Sequence, residues 1–137
     1  MQRILTRAVT MLGALLVGFT TAGRAQAPAG HTHTSPHGGD IVEVANYHVE
    51  FKADSTGAIA VWLLDAHEKT VAPPTGARLT LIAATGGQVT VPLQAEREAQ
   101  RLAARVDPRK FATFQAIVSL PIAGTRHNVR FRYPAHH

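Results

Sequence analysis

The stretch Tyr47-His48-Val49-Glu50-Phe51-Lys52-Ala53, then Asp54-Ser55-Thr56-Gly57, then Ala58-Ile59-Ala60-Val61-Trp62-Leu63-Leu64, decides the fold class. Both outer runs are rich in β-branched and aromatic residues, and the four residues between them are turn formers. Neighbouring side chains on a strand point to opposite faces. Tyr47, Val49 and Phe51 are therefore expected inside, with His48, Glu50 and Lys52 outside. The second run is apolar on both faces, which predicts a central strand.

Working outward, further β-type runs fall at Ile41–Ala45, Arg78–Ala83, Gln88–Leu93, Arg101–Val106, Phe114–Leu120 and His127–Tyr133. Pro73-Pro74-Thr75-Gly76, Thr85-Gly86-Gly87, Asp107-Pro108 and Ala123-Gly124 separate them. Strands spaced this closely predict an all-β sandwich of about seven to eight strands rather than an α/β fold. Trp62 matches the buried tryptophan of such sandwiches. Glu96 to Arg105 is expected as strand, although its Ala, Glu, Gln, Arg and Leu also suit a short helix. Val129, Phe131 and Tyr133 are expected inside, with Arg126, Asn128, Arg130 and Arg132 outside. The arginine stripe suits a solvated face, an anionic lipid or an acidic partner.

The chain opens with a secretory pattern: Arg3 and Arg7, an apolar run from Ala8 to Ala22, and small residues leading to a cleavage site. Gly23-Arg24-Ala25 predicts a mature chain from Gln26, with Ala25-Gln26-Ala27 as the other option. The run of about 15 residues is short of the roughly 20 that span a bilayer, so no stable membrane insertion is expected after cleavage. These features predict a periplasmic protein with residues 1–25 as signal peptide, 26–38 as a mobile arm, 39–134 as the sandwich domain and 135–137 as a tail.

Of 14 basic residues, three leave with the signal, so 11 face 9 acidic ones and the net charge falls from +5 to +2. A balance that small gives no footprint for nucleic acid. About 112 residues remain, enough for one domain and expected to be monomeric. Cysteine is absent and both methionines, Met1 and Met11, lie in the signal. A mature chain without sulfur does not suit Cu(I), whereas imidazole with carboxylate suits Zn(II), Cu(II), Ni(II) or Co(II).

His31-Thr32-His33-Thr34-Ser35-Pro36-His37-Gly38-Gly39-Asp40 and Tyr47-His48-Val49-Glu50 close behind contribute four imidazoles and two carboxylates, Asp40 and Glu50, to a window of twenty residues that also holds Glu43. His48 and Glu50, two apart on a strand, share a face with Cβ atoms about 6.6–7 Å apart. One ion could sit between them, or Glu50 could simply pair with Lys52. Ordering seven or eight arm residues costs on the order of 10 kcal/mol, against about 10–16 kcal/mol from a good structural zinc site. A ligand set anchored on a rigid strand is therefore favoured: His37, His48 and Glu50, joined by His31, His33 or water. Loose binding by the arm alone, and no metal at all, remain the alternatives. Asp65, His67 and Glu68 read first as turn residues, and His127 as a strand-end histidine. No nucleophile elbow, phosphate loop or H-E-x-x-H motif is present, so catalysis is not expected.

Trp62-Leu63-Leu64-Asp65, Lys69-Thr70-Val71 and Gly76-Ala77-Arg78-Leu79, together with His37-Gly38-Gly39 and Tyr47-His48-Val49-Glu50, resemble small exported immunoglobulin-like proteins. Similar domains stand at the N-termini of heavy-metal efflux periplasmic adaptor proteins, and the YtkA-like domains are a looser relative. The resemblance covers roughly residues 37–133. It implies a β-sandwich and a link to metal handling, and with the histidines it leads to the expectation of an immunoglobulin-like protein that buffers a divalent transition metal or hands it to an efflux adaptor. The pattern departs at Glu68, where a turn glycine is usual, and at Thr70, where proline is. The alternative expectation is a non-metal interaction module of the cell envelope.

Overall fold

Tyr47–Ala53 and Ala58–Leu64 are antiparallel strands, and the turn between them is built by its own residues. Asp54 Oδ1 accepts the backbone N–H of Thr56 and of Ala58, at 2.8 and 3.2 Å. Gly57 has φ +85°, and a Cβ there would run into the Val106 carbonyl oxygen, so glycine is required twice over.

The structure, a computed structural model, describes residues 34–134. The expected signal peptide, residues 26–33 of the arm with His31 and His33, and the tail 135–137 lie outside them. In chain order the strands are β1 (Asp40–Val44), β2 (Tyr47–Ala53), β3 (Ala58–Leu64), β4 (Arg78–Ala83), β5 (Gln88–Pro92), β6 (Gln94–Glu96), β7 (Arg101–Arg105), β8 (Phe114–Ile122) and β9 (Thr125–Tyr133). They form two antiparallel sheets, ordered β1-β2-β3-β7-β6 and β5-β4-β8-β9. The described residues contain no helix, so none is long and apolar enough to cross a membrane.

One core lies between the sheets. Val49, Phe51, Ile59, Val61, Leu63 and Leu102 face it from the first sheet; Leu79, Leu81, Phe114, Val118, Val129 and Phe131 face it from the second. Phe51 joins the layers, stacking on Phe131 at 4.9 Å between centroids and meeting Phe114 edge-on at 6.4 Å. Inward alternation along β2 and β9 matches the sequence pattern.

Four details depart from expectation. The first strand ends at Val44 because Ala45 and Asn46, with φ of 49° and 64°, form a two-residue turn into β2. Residues 94–105 are a hairpin: β6, unrecognised in the sequence, pairs with β7 across a turn at Arg97–Gln100. Glu68, standing where the resembled pattern has glycine, adopts φ +60°, the conformation glycine usually supplies. Trp62 is buried, yet it belongs to the outer face of its sheet and not to the core. Periodicity places a tryptophan on a strand without revealing which face a later layer covers.

Candidate functional site

On β2 the outward residues are His48, Glu50 and Lys52, but only Lys52 is exposed. Glu50 is 0% exposed and His48 is 5% exposed. His48 and Glu50 thus lie on the outward side of β2 without being open to solvent. Strand alternation selects the side of the sheet, but it is blind to a further piece of chain laid across that side, and residues 35–39 are that piece. Four of these five residues belong to the arm expected over 26–38, and Ser35, His37 and Gly39 bond to residues of β2.

Glu50 Oε1 accepts the Ser35 hydroxyl at 2.6 Å and the backbone N–H groups of His37 and Gly39 at 3.0 and 2.9 Å. Its Oε2 is 2.8 Å from Nδ1 of His37. Burial pushes the carboxyl up, but the donors from Ser35, His37 and Gly39 outweigh it and hold Glu50 below its ordinary value. Glu50 is thus an anion at neutral pH, an acceptor only. Nδ1 of His37 must then carry the proton, which leaves Nε2 with the lone pair whenever the ring is neutral.

Two further contacts fix the strap. The His37 ring stacks on Trp62, centroids 4.2 Å apart and planes 1° from parallel. Lys52 Nζ donates to the His37 carbonyl at 3.0 Å, so it binds the strap backbone rather than pairing with Glu50. Gly39 passes so close to β2 that a Cβ would meet the Phe51 carbonyl oxygen. Of the two glycines after His37, Gly39 therefore serves close packing, and Gly38 a positive φ of 76°.

The structure thus brings His37 and Glu50 together and directs His48 elsewhere. Nδ1 of His48 lies 3.1 Å from the Asp65 carbonyl oxygen, to which it donates. The three expected ligands do not form one cluster: among the described residues no group of three His, Asp or Glu is placed to hold a metal ion. Asp65 itself is a turn builder, its Oδ1 accepting the N–H groups of His67 and Lys69 at 2.8 and 3.0 Å. Those backbone donors, Lys69 foremost, hold its carboxyl below the usual range despite an opposing desolvation. His127 is half-buried near the start of β9.

His37 side-chain atoms are 29% exposed and border a groove of about 610 Å³ on the outer face of the first sheet. Trp62 forms part of its wall, Ala58, Ala60 and Ala103 lie along it, and Lys52, Arg101 and Arg105 stand around it. Ser35 was not singled out in the sequence, and Trp62 was read there as the buried sandwich tryptophan and not as a neighbour of His37. The turn at 54–57 would have located Trp62, since that turn fixes the register in which Glu50 faces Trp62. Comparison with protein-family models, with curated proteins and with solved structures finds no match.

Proposed function

We propose that this is an exported immunoglobulin-like domain that binds a divalent transition metal through His37, with Glu50 as the carboxylate that orients the ring. The observation that carries the proposal is the 2.8 Å contact of Nδ1 with a buried, ionised carboxylate. Histidines that ligate metals through one ring nitrogen typically donate the other to such a carboxylate, which fixes the tautomer and raises the basicity of the ligating nitrogen. Glu50 therefore moves from ligand to orienting partner: its oxygens already accept four donors and it has no exposed surface. His48 is likewise too buried to be met by an ion. His31 and His33, six and four residues before the anchored ring, are the remaining ligands this proposal assigns. The ion, Zn(II), Cu(II), Ni(II) or Co(II), would supply a charge for three imidazoles and water to share.

The strand order supports the immunoglobulin-like part. Strands β2-β3-β7-β6 stand in the A-B-E-D order of that fold, and β5-β4-β8-β9 in the order C′-C-F-G, with β1 added beside the first sheet. Periplasmic location and delivery to a heavy-metal efflux adaptor rest on the leader pattern and on the His37-Gly38-Gly39 and Tyr47-His48-Val49-Glu50 motifs. Calorimetry with Zn(II) and Cu(II) tests the assignment. His37→Ala is expected to abolish binding, whereas His48→Ala should leave it within a few-fold. Equal affinity in wild type and His37→Ala would end the proposal.

The same contacts favour a second reading, in which Glu50 and Trp62 only fasten residues 35–39 to the sheet and the domain is an interaction module without metal. Replacing His31, His33 and His37 together would then leave function intact.

A further inference from the structure

Charge is sorted between the two sheets. All nine acidic residues of the chain lie outside β4, β5, β8 and β9. The outer face of that four-stranded sheet carries Arg78, Arg126, Arg130 and Arg132, all exposed. The rest of that face is Thr, Gln, Ser, Asn and Pro with two half-buried isoleucines, Ile82 and Ile117. Net charge over residues 34–134 is only +2, so a +4 face leaves the remainder of the domain at −2. A molecule so divided orients in a field as well as being drawn by it.

We infer that this face docks on an anionic lipid surface. The four arginines occupy four different rows of the register: Arg132 beside Gln115, Arg130 beside Ile117, Arg126 beside Pro121, and Arg78 beside Ser119. Rows on one face of a strand are two residues, about 6.6–7 Å, apart, and Arg78 lies two strands from β9, about 9.5 Å away. Such an array matches a plane of separate anions and not one phosphate. Guanidinium presents a rigid fork that suits phosphate oxygens, and Arg126 is already steadied by the Gly76 carbonyl and the Ser119 hydroxyl, both at 3.2 Å. A protein partner is the weaker match, because tight protein interfaces centre on aromatic or apolar anchors in pockets and this face has no aromatic side chain.

Cosedimentation of the full chain with phosphatidylglycerol-containing vesicles tests the inference, pure phosphatidylcholine vesicles serving as the baseline that absorbs any contribution of the apolar leader. Each arginine near an anionic surface is worth about fivefold in partitioning. Arg130→Gln/Arg132→Gln should therefore lower the phosphatidylglycerol-dependent increment by about 25-fold. Arg109→Gln/Lys110→Gln, which removes the same charge from the loop after β7, should lower it far less. Molar salt, which cuts the screening length to about 3 Å, should abolish it. No increment, equal loss in the two double variants, or binding to polyglutamate in preference to the vesicles would each overturn the inference. Circular dichroism checks that both variants keep their β-structure.

Discussion

His37 lies flat on Trp62, ring planes 1° from parallel, while its Nδ1 reaches the buried Glu50 carboxylate 2.8 Å away. The ring is held from two directions by residues that face each other across β2 and β3. Trp62 is the chain's single tryptophan, so its emission reports the contact without ambiguity. His37→Ala should shift that emission to longer wavelength and raise its quenching by acrylamide. An unchanged spectrum would mean that the imidazole does not shield the indole.

Glu50→Ala should destabilise the domain by about 3–5 kcal/mol, because it leaves the donors of Ser35, His37 and Gly39 without their acceptor. Glu50→Gln keeps one acceptor oxygen and should cost about half as much. Urea unfolding followed by circular dichroism measures both. A loss under 1 kcal/mol for the alanine variant would show that water replaces the carboxylate freely.

Acid should loosen the same contacts. Glu50 titrates below its ordinary value of about 4.3, so the folded state binds the proton less tightly than the unfolded chain. Its contribution to stability is complete above about pH 5 and is lost as pH falls through the lower folded value. Asp54, held down by the Thr56 hydroxyl and backbone, and Asp65 act in the same direction. The part due to Glu50 is the difference between wild type and Glu50→Gln, which should narrow steadily below pH 4.3.

Two glycines separate close packing from mere flexibility. Gly39→Ala should cost about 1–3 kcal/mol, since the new Cβ meets the Phe51 carbonyl oxygen and the Glu50 side chain. Gly87→Ala, with nothing within 4 Å and no positive φ, should be neutral or stabilising by about 0.4–1 kcal/mol. Thermal unfolding of the pair checks both signs, and a larger loss at Gly87 would refute the packing account.

The strands were legible because their period is two and their punctuation is strong: Asp54 to Gly57 and Ala123-Gly124 mark their turns in composition alone. The β6 strand was not, since Gln94-Ala95-Glu96 has no apolar alternation and exists only through pairing with β7. The site was half legible. His37 and Glu50 stood out together with His48 as expected ligands of one ion, and the structure puts His37 in direct contact with Glu50. Their roles were not readable, because burial of Glu50 depends on Ser35 to Gly39 crossing the sheet, a long-range event that no local pattern encodes. His48 shows the opposite failure: correct phase on the strand, but a carbonyl from the β3–β4 connection captures its ring.

Nitrogen-15 NMR of the imidazoles during Zn(II) titration bears most directly on the role given to His37. Nε2 of His37 should shift on metal addition while its Nδ1–H signal persists, still bonded to Glu50, and the His48 resonances should stay in place. Glu50→Gln should weaken the titration by about 10–100-fold. A His37 ring that ignores the metal, or a metal that displaces Glu50 and shifts His48 instead, would contradict the account.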